Sequence, residues 1–248
     1  MLIDVHAHID YEQFDFDRPE IIRKAKSEDI IIINSGLNVV GGKKTLDLSR
    51  EFDNVYATIG LPPTEILDDD VNKVIELIEN YREEIVAIGE VGLDYYWVKE
   101  EEKRKKEIKN FRKFLELSKK LNLPLVIHSR DAEDDTLKLL EEYHIKALLH
   151  CFGGDAKKAV DAAGKGHIIS IPTNLVNSRV RQEVVKAVPL ESLVLETDAP
   201  YLAPVPKTRN EPINIKITAK KISEIKKIDY SVVEETTTRT AKKFFNLP

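Results

Sequence analysis

Short, nearly continuous apolar runs alternate along the chain with longer stretches in which apolar residues recur every three to four positions. The runs are Leu2–His6, Ile30–Ser35, Val55–Gly60, Ile85–Glu90, Pro124–Ser129, Ala147–Cys151, His167–Ile171 and Leu193–Asp198. Val, Ile and Leu fill most of them, the pattern of strands buried on both faces of a parallel sheet. Between them, Pro19–Asp29, Asp70–Tyr81, Glu100–Leu121, Asp134–Tyr143, Asp155–Ala163 and Arg179–Val188 read as amphipathic helices. Val71, Val74, Ile75 and Ile78, for example, share one helical face. Two further helices are expected after the last run, over Asn214–Lys227 and Ser231–Asn246. Strands alternating with helices in this number predict an α/β fold, a closed (β/α)8 TIM barrel, with an open doubly wound sheet as the alternative. No repeat or Pro/Gly/Ser linker divides residues 1–248, so the whole chain reads as a single domain.

The length of 248 residues is close to the roughly 250 typical of this barrel. The formal net charge of −5 argues against a general electrostatic coat for nucleic acid. A single cysteine, Cys151, allows no intramolecular disulfide and fits a reducing compartment. The start MLIDVHAHID has no basic region followed by an apolar stretch, and no run reaches the ~18 apolar residues of a membrane span. The expectation is a cytoplasmic protein with no membrane association and no obligate protein partner.

The polar residues fall in a telling place. The runs end in His6-Ala-His8, Glu90, His128, His150 and Asp198. In a (β/α)8 barrel the carboxyl ends of the strands form the face that carries chemistry. Four of the six histidines sit there, whereas His144 and His167 lie after a helix and at a strand start. His6 and His8, two apart, point to one side of a strand, and neutral imidazole is a common ligand of divalent ions. Alone, the pair reads equally as a polar strand end. With Glu90, His128, His150 and Asp198 it becomes a mixed imidazole–carboxylate set suited to two divalent cations. Glu90 could bridge them, with an activated hydroxide between. Arg130 could hold a phosphate or carboxylate, or serve a structural ion pair. Cys151 should face away from His150 and pack as a small apolar group. Tyr95, Tyr96 and Trp97 could stack on bases or simply pack their loop.

The segments DVHAHID, IGEVGLDYYW, PLVIHSRDA, LLHCFGG, LVLETDAPYLAP and RNEP together resemble the TatD family of metal-dependent deoxyribonucleases, within the amidohydrolase superfamily. The resemblance implies His6, His8, Glu90 and Asp198 on one metal and Glu90, His128 and His150 on the other. It implies that Asp198 orients or deprotonates the attacking water, that DNA is the substrate, and that Mg2+, Mn2+ or Zn2+ serves as cofactor. Glu90 and Asp198 are thus the expected catalytic carboxylates, and Arg130 and Arg209 the expected substrate contacts. Two departures stand out. Gly60-Leu61-Pro62-Pro63 carries Pro62 where the family has a histidine, and Ser170–Asn174 differs from the usual serine–glycine pattern. They keep a second reading alive, cleavage of D-aminoacyl-tRNA or of another ester or amide. A non-catalytic binding protein is the third.

Overall fold

The computed structural model describes residues 1–248. The strands are β1 (Leu2–Ala7), β2 (Ile30–Leu37), β3 (Val55–Gly60), β4 (Ile85–Asp94), β5 (Leu125–Arg130), β6 (Leu148–Leu149), β7 (Ile168–Ile171) and β8 (Leu193–Leu195). They close into one parallel barrel in chain order, with β1 and β8 joined where Asp4 faces Leu195. The open sheet is therefore excluded. The helices are α1 (Arg18–Ser27), α2 (Asn38–Glu51), α3 (Asp68–Asn80), α4 (Glu101–Leu121), α5 (Glu133–Glu142), α6 (Ala156–Gly164), α7 (Arg179–Ala187), α8 (Ile215–Lys226) and α9 (Tyr230–Phe245). None is long and apolar enough to cross a membrane.

The strands are apolar throughout because both their faces are covered. Leu2, Ile30, Ile32, Ile59, Ile88 and Leu125 join a large cluster with helix residues such as Ile22, Val74, Ile78 and Phe111. In a smaller cluster, Ile3, Val5, Ile33, Ala87, Val126, Leu148 and Val194 meet Ala241 and Phe245 of α9. Each large side chain so buried contributes about 1.5–3 kcal/mol.

Helix α2 has no counterpart among the expected helices. Its segment carries Gly41 and Gly42, which break an apolar stripe. Those glycines serve close packing: a Cβ on Gly42 would lie 2.8 Å from Leu77 Cδ2, and one on Gly36 only 2.6 Å from the Gly41 carbonyl. The strand ends also move. β4 runs four residues past Glu90, while β6 and β8 stop before His150 and Asp198. Those two residues sit on turns, where Asp198 has a φ of 55° and Cys151 one of 44°.

Candidate active site

Strand β1 carries Asp4 and His6, with His8 just past its end, on one side of the chain. All three are buried. His6 Nε2 lies 3.1 Å from His8 Nε2 and 3.2 Å from Glu90 Oε2. Asp198 Oδ1 lies 3.5 Å from His8 Nε2 and 3.8 Å from His6 Nε2. Donor atoms from β1, from within β4 and from the turn after β8 thus come together. On the other side of Glu90, His128 Nδ1 is 2.6 Å from Oε1, and His150 Nε2 is 4.0 Å from the same oxygen. The two Glu90 oxygens face different halves of the cluster. His150 also stacks on His6, ring centres 3.7 Å apart.

In His8, His128 and His150 the nitrogen that faces the cluster is fixed by what the other ring nitrogen holds. His8 Nδ1 faces the Ser35 carbonyl at 2.9 Å; a carbonyl only accepts, so Nδ1 carries a proton and the neutral ring has its lone pair on Nε2. His150 Nδ1 meets Glu196 Oε2 at 2.8 Å, and that oxygen also accepts from Ser170 Oγ at 2.5 Å. His128 Nε2 meets Asp94 Oδ2 at 2.9 Å. Below β1, Asp4 accepts from the Thr197 backbone N–H at 2.8 Å and from Thr197 Oγ1 at 2.5 Å, which fixes the turn that presents Asp198. Helix α2 takes part too. Asn34 accepts from Ile9 N and donates to Asp10 at 2.9 Å and to Thr45 of α2 at 2.7 Å.

The electrostatics are those of an acidic pocket that draws in positive charge. Burial alone would lower His8 and His128. Asp198, Glu90 and Asp10 outweigh it at His8, and Asp94 and Glu90 at His128, lifting both to about 9. Burial likewise opposes the charged His150, yet Glu196, Glu90 and Asp198 raise it well above the ordinary histidine value. Burial would raise Glu90, but His150, His128 and His6 hold it well below the carboxylate range. His6 is the exception: burial and the neighbouring His150 lower it. Protons on imidazoles therefore balance the carboxylates, in positions where a cation would do the same.

The donor set fits divalent metal. Ligands about 2.0–2.1 Å from a tetrahedral ion lie about 3.3–3.4 Å from one another. The separations of His6 and His8 from each other and from Glu90 and Asp198 run from 3.1 to 3.8 Å. Two overlapping trios, His6–Glu90–His150 and His6–His8–Asp198, have ligand atoms all within 4.8 Å of one another. His6 thus lies between the halves as Glu90 does, a sharing that strand-end positions alone do not reveal.

His128, His150 and Asp198 line a cavity of about 400 Å³ with Arg130, Cys151 and Arg181. Arg130 lies over the Tyr96 ring at 3.8 Å and near Trp97 at 5.9 Å, so these aromatics support an arginine at the cavity rim. Arg209 sits elsewhere. It pairs with Asp17 through both terminal nitrogens, at 2.8 and 2.5 Å, and lies over Phe14. Cys151 departs from expectation: the left-handed turn after β6 swings its thiol into the cavity, 3.1 Å from Arg181 Nη2. Pro62 borders a separate cavity with Val39, Leu61 and Val74. Sequence reasoning missed Asp94, Glu196, Asp4 and Arg181. The spacing of Glu196 two before Asp198, and of Asp4 two before His6, was the available signal.

A closed parallel barrel with histidines and carboxylates gathered at its mouth is the frame of a metal-dependent hydrolase. The family model described as TatD related DNase matches residues 3–246, and the chain belongs to that family. It is 38% identical over 246 residues to an uncharacterized metal-dependent hydrolase of Methanocaldococcus jannaschii, covering 98% of this chain and 96% of the relative. It is 36% identical over 262 residues to the deoxyribonuclease TATDN3 of Homo sapiens, covering 98% and 94%. The crystal structure of the TatD homologue YjjV of Escherichia coli superposes with a TM-score of 0.90 at 23% identity, covering 100% of this chain and 98% of that one, and shows the same fold. The protein is a metal-dependent hydrolase of the TatD family.

Proposed function

We propose that the protein hydrolyses phosphodiester bonds in DNA, using two divalent ions, Mg2+, Mn2+ or Zn2+. The carrying observation is the convergence of His6, His8, Glu90, His128, His150 and Asp198 beside a cavity that also holds unpaired arginine. The deoxyribonuclease name of the human relative supports DNA as substrate. His6, His8, Glu90 and Asp198 would hold one ion, and Glu90, His128 and His150 the other. When bound, such ions supply Lewis acidity to the phosphoryl oxygens and lower the pKa of water.

The chain's own residues do the rest. Burial would raise Asp198, but its hydrogen bond to His8 and the charge of His150 hold it below the usual carboxylate value, so it is ionised at neutral pH. In that form it orients the attacking water and accepts its proton. Glu90 keeps the two halves of the cluster in register. Asp94 and Glu196 fix the rings of His128 and His150, and Arg130 offers a guanidinium to a phosphate oxygen. The free thiol of Cys151 suits the reducing cytoplasm, where we place the reaction.

The test is degradation of end-labelled single- and double-stranded DNA by metal-replete protein. Cleavage is expected with Mg2+ or Mn2+, to stop with EDTA, and to fall at least ~100-fold in Asp198→Asn. DNA left intact over hours by protein shown to contain metal would reject DNA as substrate. Release of amino acid from D-aminoacyl-tRNA by that same preparation would transfer the site to ester cleavage.

A further inference from the structure

Arg181 stands in the first turn of α7 and lines the same cavity as Arg130. The Ser178 side chain caps that turn, accepting from the Arg181 backbone N–H at 3.3 Å. The guanidinium, by contrast, forms no salt bridge. Its only hydrogen bond runs from Nη2 to Cys151 Sγ, and its Nε is buried with no partner at all. A thiol is a weak acceptor, and a buried donor left unmade is costly. The chain holds 43 Asp and Glu, so a purely structural arginine would readily have found a carboxylate. Arg130 likewise pairs with no acid and lies on the Tyr96 ring instead. Asp131 and Glu133 share the cavity but form no ion pair with either arginine.

These two guanidinium groups flank a mouth dominated by carboxylates, in a protein of net charge −5. A polyanionic substrate approaching that mouth needs local positive charge beyond the reacting centre. The cavity of about 400 Å³ is of the size that holds a small-molecule ligand such as a nucleotide unit. The planar fork of arginine matches phosphate oxygens pairwise. Building on the phosphodiesterase reading above, we propose that Arg181, acting with Arg130, is a second phosphate-binding point. The site then selects substrates that carry at least two phosphate groups and gains binding from the one that is not cleaved. Arg181 is a specificity-determining residue, not a participant in bond breaking.

Calorimetric titration of the Mg2+-loaded protein with thymidine 3′,5′-bisphosphate and with thymidine 3′-monophosphate tests this. The wild type should hold the bisphosphate about tenfold or more tighter. Arg181→Met should erase most of that ratio, and Arg181→Lys should recover part of it. Circular dichroism and melting confirm that each variant is folded. On oligonucleotides Arg181→Met should raise KM more than it lowers kcat. A wild type without the bisphosphate preference, or an Arg181→Met protein that retains it, overturns the proposal. If the preference depends on Arg181 but DNA is not cut, the subsite stands and the nuclease reading falls. If DNA is cut and the preference ignores Arg181, the reverse holds.

Discussion

An imidazole points one nitrogen in a fixed direction when something else holds the other, and three of the four histidines at this site are held that way, once by a carbonyl and twice by a carboxylate. For His8 it is a main-chain carbonyl, that of Ser35; for His150 it is Glu196; for His128 it is Asp94. That difference explains what was legible. The candidate ligand residues announce themselves in sequence, because four of the six histidines sit at the ends of apolar runs. A carbonyl leaves no such mark, and Asp94 falls four residues past the expected strand end. A second buried acid, Glu107 of α4, has no sequence signal either. It is 1% exposed, and neither carboxylate oxygen has a hydrogen-bond partner. Burial raises it from the ordinary 4.5 to about 7. The folded state thus prefers the protonated form. Its stability is intact below about pH 4.5 and is eroded as pH climbs through about 7, where the charge must be buried. Glu107→Gln keeps the shape without the charge. Melting curves should show the two proteins alike near the acid end and the variant increasingly ahead up to about pH 8. Parallel pH profiles would dismiss this account.

At the scale of elements, hydrophobic pattern located all the strands, because parallel strands covered on both faces admit little but Val, Ile and Leu. It failed at α2, where contact is made by glycine and by polar Thr45, and it misjudged the length of β4. That length matters to the site. Glu90 and Asp94 both belong to β4, and both reach His128 of β5, one on each ring nitrogen. Gly92 lies between them, with a φ of 151°, and a Cβ there would stand 2.0 Å from the His128 carbonyl oxygen. Gly60 of β3 is pressed in the same way, its Cβ position only 2.3 Å from the Glu90 carbonyl oxygen. Glycine is what allows three strands to crowd around one carboxylate. Gly92→Ala must therefore push β4 from β5 as well as strain its own backbone, at a cost of about 3 kcal/mol or more. Urea denaturation of the two proteins measures it. A loss within about 1 kcal/mol would show that the strand pair yields more easily than these contacts imply.

For the molecule as a whole, the site joins parts far apart in sequence. His6, Glu90, His128, His150 and Asp198 come from β1, β4, β5 and the turns after β6 and β8. A cation shared among them would further tie the first and last strands, which already meet through the register pair Asp4 with Leu195, the hydrogen bonds of Asp4 with Thr197, and the backbone bonds from Asp198 N to the His6 carbonyl and from His8 N to the Ala199 carbonyl. Without it, the raised histidines keep protons that balance Glu90, Asp94 and Asp198, so the barrel retains its mouth. Those protons hold less firmly than a divalent ion, since each serves one acid rather than three or four donors. Chelation should accordingly lower the melting temperature without unfolding the protein at ambient temperature. With metal about 100-fold above its dissociation constant, binding contributes about 2.7 kcal/mol, a drop of about 5–10 °C for a chain of this length. Differential scanning calorimetry before and after EDTA dialysis, with metal content followed by atomic emission, gives the comparison. An unchanged melting temperature after measured metal loss would mean that the cluster stands on its protons alone. A drop that zinc or manganese restores at pH 8 more readily than at pH 6 would trace the effect to His8 and His128, whose protons the metal must displace.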